Sequence, residues 1–276
     1  MEVIVARSAG FCMGVQRAVE KARRLASGQE GPVYTDGALI HNQQMMAQLD
    51  SENIRPCPDL AALRDDTLLI RAHGIPPARR KRLQALPCRL RDATCPDVAR
   101  IQGLIRKHAR QGYQVVILGD SGHAEVVGLL GFAEGRGHVI AGPEDVARLP
   151  EMEKVCLVSQ STQFPSRFEA TAHTMRARYP ALIAIDTICD ATRHRQGDIV
   201  EMADQVDAFV VVGGSHSANT LRLVELARGL KPTVHIQTAG DLQPGEFEDV
   251  RIVGLTAGAS TPSFIIAEVR AQLEAF

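Results

Sequence analysis

The chain has 276 residues, of which 45% are hydrophobic and 23% are charged, and its formal net charge is -1. This length allows a substantial core without disulfides, and the charge balance offers no basic excess for binding nucleic acid. The first residues lack the features of a signal peptide, and no segment has the unbroken apolar length of a membrane span. We therefore expect a cytoplasmic globular protein with no nucleic-acid or membrane partner.

Short β-branched runs alternate with helical patterns along the whole chain. The first run, residues 1–7, leads through a cysteine loop into a predicted helix from Met13 to Ala26. Further strand-like runs lie at 114–119, 154–158 and 208–213, and further helices are predicted at 97–111, 165–178, 190–205, 219–229 and 262–275. Such runs end in small or polar residues before a helix, which is typical of parallel α/β units. The sequence predicts an α/β fold.

Three cysteines each lie in a similar local phrase, with an arginine close behind. They are Cys12 in Gly-Phe-Cys-Met-Gly, Cys95 in Ala-Thr-Cys-Pro and Cys189 in Asp-Thr-Ile-Cys-Asp. Cytosolic thiols stay reduced, so metal binding or catalysis is favoured over disulfides. Three converging thiolates could hold an iron–sulfur cluster with one iron left without a protein ligand, or a zinc ion.

Division at the cysteine phrases gives three segments of similar length. We predict domains at 13–94, 95–186 and 187–276, the last completed by the N-terminal strand in 1–12. Each segment would form a similar α/β domain. We expect the three to surround a pseudo-threefold axis with their cysteine loops facing inward.

Three histidines follow strand-like runs, where parallel α/β units carry their ligands. His41 follows the strand and turn around residues 32–37, His73 follows the run ending at Ile70, and His123 follows 114–119. An imidazole in such a position can bind a metal, or it can bind an anion through its N–H donors and positive charge. Both roles remain open from the residues alone.

Two loops, 213–219 and 256–262, offer hydroxyls and exposed backbone amides just before predicted helices. This arrangement favours an anion, and neither loop has a Walker or dinucleotide-binding pattern, so a substrate phosphate fits better than a nucleotide. Simple helix capping by Asn219, Ser260 or Thr261 is the alternative.

Glu125 lies two residues after His123, and in an extended loop the two side chains would point to the same side. A carboxyl group in such a pocket can donate a proton. The alternative is an acidic residue placed at a helix N-terminus by the macrodipole. Of the other cysteines, Cys156 is predicted to be a core thiol, and Cys57 and Cys88 to be semi-exposed residues that bind no metal.

Taken together, these phrases resemble the 4-hydroxy-3-methylbut-2-enyl diphosphate reductase family. The resemblance extends from Gly10-Phe11-Cys12 to Thr256-Ala257-Gly258-Ala259-Ser260, and it includes Gly122-His123-Ala124-Glu125. It implies a trefoil of three α/β domains around a 4Fe-4S cluster. The ligands would be Cys12, Cys95 and Cys189, with one iron open for the substrate's hydroxyl oxygen.

The resemblance also implies roles for the polar residues. The residues that match the substrate-binding site are His41, His73, His123, Ser161, Ser217, Ala218, Asn219 and Ser260, and those that match the catalytic residues are Glu125, Ser161 and His123. Ser161 stands where the family has a threonine, and Ala218 stands where some members have a serine. We expect activity to survive the first departure, because Ser161 keeps the hydroxyl. Ala218 lacks a hydroxyl that would contact a phosphate, but its backbone amide could still serve.

The implied reaction is the reductive dehydroxylation of the allylic diphosphate to isopentenyl and dimethylallyl diphosphate, the last step of the non-mevalonate isoprenoid pathway. No flavin or nicotinamide motif is visible, so reduced ferredoxin or flavodoxin would supply the electrons to a monomeric enzyme. Two alternatives remain: a zinc protein that uses the three cysteines with His41, His73 or His123, and a cluster-bearing paralogue without reductase activity.

Overall fold

A computed structural model describes residues 1–28 and 31–276 of the chain. The strands are β1 Glu2–Val5, β2 Val33–Thr35, β3 Ile54–Pro56, β4 Thr67–Ile70, β5 Arg89–Asp92, β6 Gln114–Leu118, β7 Gly137–Ile140, β8 Val155–Ser159, β9 Ile183–Ala184, β10 Ala208–Val212, β11 Thr233–Ile236 and β12 Ile252–Ala257. The α-helices are α1 Met13–Ser27, α2 Gln43–Ser51, α3 Pro77–Gln84, α4 Pro96–Arg110, α5 Ala124–Leu130, α6 Pro165–Arg178, α7 Asp190–Met202, α8 Ala218–Arg228 and α9 Ser263–Ala275. Short 3-10 turns connect several of these elements.

The strands form three sheets, each of four parallel strands. The orders are β1-β12-β10-β11, β3-β2-β4-β5 and β7-β6-β8-β9. Parallel neighbours need a crossover connection, and helices supply most of these crossovers. Three similar parallel sheets with helical crossovers confirm the predicted α/β fold class.

The central strands of these sheets are mostly apolar because both of their faces are covered. Every residue of β8 and of β10 is buried, and Phe209 in β10 is fully enclosed. Complete burial of such a side chain contributes about 2–3 kcal/mol. The polar residues of these segments therefore lie at the strand ends.

The chain divides into two compact units. The smaller comprises residues 1–16, 40–48 and 190–276, and the larger comprises 17–39 and 49–189. In the smaller unit β1 pairs with β12, so the N-terminal strand completes a sheet whose other strands come from the last third of the chain. The domain boundaries at 13–94, 95–186 and 187–276 stay a prediction.

Several helices differ from their predicted bounds by only one or two residues. The largest difference is at the end of α7, where the helical pattern to Gln205 is an α-helix to Met202 followed by a 3-10 turn. Within the described residues, no helix combines the length and the apolar character needed to cross a membrane.

Candidate active site

In the larger unit, a buried carboxylate lies at the carboxyl end of β6. Glu125 is 2% exposed, and it accepts hydrogen bonds from the backbone N–H of Ser161 (2.7 Å to Oε1) and from the Ser161 hydroxyl (2.8 Å to Oε2). Ser161 lies just beyond β8, the neighbour of β6 in the sheet. The sheet thus brings together two residues that are 36 positions apart in sequence.

The expectation of an extended loop around Glu125 is wrong. His123 is the N-cap of α5, and Glu125 lies in the first turn of that helix. The macrodipole therefore favours a negative charge at Glu125, in agreement with the alternative that this acidic residue belongs to a helix N-terminus. Its carboxylate nevertheless accepts hydrogen bonds from Ser161, and the side-chain capping bond of α5 is made by His123.

His123 and His73 form an edge-to-face pair in the larger unit. Nδ1 of His123 accepts the backbone N–H of Glu125 at 3.2 Å, and the two imidazole centroids lie 5.5 Å apart. Because Nδ1 is the acceptor, a neutral His123 carries its proton on Nε2, where it can serve as a donor. His73 follows β4, in a turn that ends at Gly74 with a φ of +67°.

Two of the cysteine phrases belong to this unit, and backbone bonds fix both. The N–H of Cys95 donates to the carbonyl of Ala72 at 2.9 Å, and Cys95 is the N-cap of α4. The N–H of Cys189 donates to the carbonyl of Ser161 at 3.0 Å, immediately before α7. Ser161 therefore bonds to Glu125 through its N–H and hydroxyl, and to a cysteine phrase through its carbonyl.

The third phrase lies in the smaller unit. The N–H of Cys12 donates to the carbonyl of Ala259 at 3.1 Å, and its Sγ lies 3.4 Å from the backbone N of Val15 in α1. Arg195, which is 3% exposed, donates to the carbonyl of Gly10 and fixes the start of the loop. All three cysteines are free thiols, partly exposed, at the beginning of a helix. A helix N-terminus favours the negative charge of a thiolate ligand.

Three further loops meet inside the smaller unit. The Ser260 hydroxyl donates to the carbonyl of His41 at 3.0 Å, and Oδ1 of Asn219 accepts the N–H of Ala259 at 3.0 Å. Ser217 is the N-cap of α8, with its hydroxyl accepting the N–H of Thr220, and Ala218 is the first residue of that helix. The fold thus gathers polar groups from the His41, Ser217 and Ser260 loops around one place.

Simple capping does not explain any of the three residues for which it was the alternative, since the Ser260 hydroxyl donates to the carbonyl of His41. Asn219 lies inside α8 and uses its amide oxygen on the neighbouring loop, while the Thr261 hydroxyl donates to the carbonyl of Val212 at 3.0 Å. The residue before α9 is Pro262, which makes no side-chain capping bond. Ser217 is the capping residue that sequence reasoning missed.

Sequence reasoning also missed Gln160, which positions the turn before His123. The side chain is fully buried, and its Oε1 accepts the N–H of Asp120 at 2.9 Å. Its place directly before Ser161, at the end of a buried strand, is the signal that could have identified it.

The remaining cysteines lie in or beside apolar clusters. Cys156 is fully buried in β8, and burial raises the pKa of its thiol to about 12, which confirms the prediction of a core thiol. Cys57 and Cys88 are partly exposed, and both pack against the apolar cluster that contains Leu68 and Leu83. Burial raises the pKa of both thiols.

Comparison with known proteins gives one consistent result. A family model described as LytB protein matches residues 3–274. The 4-hydroxy-3-methylbut-2-enyl diphosphate reductase of Opitutus terrae is 48% identical, with all of this chain and all of that protein covered. The chain belongs to the LytB family.

Solved structures of reductases agree with this assignment. One is the structure of (E)-4-hydroxy-3-methyl-but-2-enyl diphosphate reductase, described as the terminal enzyme of the non-mevalonate pathway. It is 37% identical to this chain, with a TM-score of 0.74, and the match covers 100% of this chain and 99% of that chain. The E-1-hydroxy-2-methyl-but-2-enyl-4-diphosphate reductase of Plasmodium falciparum is 28% identical, with a TM-score of 0.92, covering 96% of this chain and 86% of that chain. LytB proteins are iron–sulfur oxidoreductases of isoprenoid biosynthesis, as the sequence resemblance implied.

Proposed function

We propose that this LytB protein converts 4-hydroxy-3-methylbut-2-enyl diphosphate to isopentenyl and dimethylallyl diphosphate, with Glu125 as its proton donor. The observation that carries this proposal is the buried Glu125 carboxylate, which is bonded twice to Ser161 and follows His123 at the carboxyl end of β6. Ligands of parallel α/β folds bind at this end of the strands.

A 4Fe-4S cluster held by Cys12, Cys95 and Cys189 fits the chemistry of these residues. All three are partly exposed free thiols at helix beginnings, whereas Cys156 is enclosed in the core. Three thiolates leave one iron open. When bound, such a cluster would supply the electrons and a Lewis-acidic iron for the substrate's hydroxyl group.

The diphosphate would be held by His41, His73, His123, Ser217, Ala218, Asn219 and Ser260. Ala218 would offer its backbone N–H, since it lies in the first turn of α8 where such groups lack partners within the helix. The Ser217 hydroxyl and the Asn219 amide already fix α8 and its neighbouring loop, so these residues would position the anion as well as contact it.

The reaction consumes two electrons and two protons, and it releases one water as the allylic C–O bond breaks. A protonated Glu125 would deliver one proton to the leaving oxygen, directly or through the Ser161 hydroxyl 2.8 Å away. The second proton ends on carbon, and addition at either end of the allyl system accounts for the two products. His123 would bind the diphosphate and fix the start of α5.

A one-electron carrier must supply the electrons, and we propose reduced ferredoxin or flavodoxin acting on a monomeric enzyme. A cytoplasmic location completes the proposal, because the cluster requires reduced thiols.

The test is a single-turnover assay with anaerobically purified, chemically reduced protein and the allylic diphosphate. We expect both isoprenoid diphosphates to form in proportion to enzyme. A protein that binds the substrate and retains its cluster, yet yields neither product, would support the non-reductase paralogue. Zinc without acid-labile sulfide would support the zinc alternative.

A further inference from the structure

A group of three charged residues in the larger unit lies outside the residues assigned above. Asp36 directly follows β2 and is only 4% exposed. Arg79 of α3 binds both of its oxygens, with Nε 3.2 Å from Oδ1 and 3.0 Å from Oδ2, and its Nη2 also contacts Oδ1. This fork-like pairing neutralises the carboxylate.

A second guanidinium, that of Arg71, lies beside this pair. A β-carbon placed on Gly37 would lie only 3.2 Å from Nη1 of Arg71, so the guanidinium lies against the backbone just beyond β2. The Nε atom of Arg71 is buried and has no hydrogen-bond partner within residues 1–28 and 31–276. Two guanidinium groups therefore lie near a single carboxylate, and the group has an excess of positive charge.

Burial also acts on the charge of this cation. It lowers the pKa of Arg71, while the Asp36 charge raises that pKa and the Arg79 charge lowers it. Arginine stays protonated despite such shifts, so the cost of burial persists until an anion approaches.

Arg71 also lies where an anion would bind. It directly follows β4 and precedes His73 by two residues, and the N–H of Gly74 closes the turn by donating to its carbonyl at 3.0 Å. The adjacent ends of β2 and β4 belong to the edge of the sheet at which ligands of parallel folds bind. A partly buried cation here attracts an anion more strongly than an exposed one would.

We propose that Arg71 is an additional anion-binding residue, whose charge strengthens binding of the substrate's diphosphate at the edge that carries His73. This inference rests on the proposed function for the identity of the anion. Asp36 and Arg79 neutralise each other, so the charge of Arg71 remains available for the ligand.

The experiment measures binding of inorganic diphosphate to the cluster-containing protein by anaerobic calorimetry, together with single-turnover yield. We expect Arg71→Gln to weaken binding about ten-fold, which corresponds to about 1.4 kcal/mol, and Arg71→Lys to stay within about three-fold of the original protein. Lys81→Gln removes an exposed cation from α3 and is the matched control, with unchanged affinity expected.

Arg79→Gln provides a second test if Arg71→Gln does not fold. Without Arg79, Asp36 would pair with Arg71 and consume its charge, so diphosphate binding should weaken here too. Unchanged diphosphate affinity in Arg71→Gln would overturn the inference. If that variant does not fold, unchanged affinity in Arg79→Gln would overturn it instead. An equal loss of affinity in Arg71→Lys and Arg71→Gln would also overturn it. If one of these results came with normal turnover, the role of Arg71 would be refuted and the proposed function would stand. If the protein bound diphosphate normally but did not turn over substrate, only the proposed function would be refuted.

Discussion

Replacing Glu125 with Gln tests the proton donor while keeping the size of the side chain. The carboxylate accepts two hydrogen bonds from Ser161, at 2.7 and 2.8 Å. An amide has one acceptor oxygen, so its NH₂ group would face either the Ser161 N–H or its hydroxyl. If the NH₂ group faces the hydroxyl, the hydroxyl can rotate and accept a hydrogen bond from it, whereas the backbone N–H has no such freedom. We therefore expect the free energy of unfolding to fall by about 1 kcal/mol, and by at most about 3 kcal/mol.

The effect on catalysis should be much larger than the effect on stability. Loss of a positioned proton donor lowers the rate by about 10²- to 10⁴-fold. Single-turnover rates of the reduced variant, with product diphosphates separated and counted, measure this loss. Cluster content and diphosphate affinity should stay close to those of the original protein.

Glu169→Gln is the matched control, because Glu169 is an exposed residue of α6 in the same unit. It should change neither rate nor stability by a measurable amount. If Glu125→Gln turned over substrate at the original rate with an intact cluster, Glu125 would not be the proton donor.

Four further predictions concern Cys95, Cys156 and the turn at Gly74. Cys95→Ser should lower iron and sulfide content, whereas Cys57→Ser should leave both unchanged; a full cluster in Cys95→Ser would refute the ligand assignment. Cys156 should resist alkylation at pH 8 until the protein unfolds. Its folded pKa of about 12 exceeds the usual 9.0, so its contribution to stability is complete below pH 9 and is lost as the pH rises towards 12. Denaturant titrations should therefore show a steeper alkaline loss in the original protein than in Cys156→Ala, and equal slopes would contradict this. Gly74→Ala should lower the free energy of unfolding by at least about 1 kcal/mol, because φ is +67° and the added carbon would lie 2.4 Å from Nε2 of Gln102; unchanged denaturation midpoints would contradict the strain.

Much of the fold could be predicted because buried parallel strands are continuous apolar runs and most helices carry an apolar face. The elements that were missed lack those patterns. In α3 only Leu83 is buried among basic and polar residues, and β9 spans only two residues. At the beginning of α5, Gly122 and the polar His123 predict a loop instead of a helix.

The sequence predicts the candidate site as a set of residues at strand ends, because each of these residues closely follows a predicted strand. Partnerships across the sheet could not be predicted in the same way. The bond between Glu125 and Ser161 depends on which strands are neighbours, and the capping role of Ser217 depends on where α8 begins. The excess charge at Arg71 appears only when Asp36 and Arg79 are seen to pair.

The decisive measurement is iron and acid-labile sulfide analysis of anaerobically purified protein, because the proposed reaction depends on a cluster held by Cys12, Cys95 and Cys189. We expect about four iron and four sulfide per chain. Zinc in stoichiometric amount, with no acid-labile sulfide, would contradict this expectation.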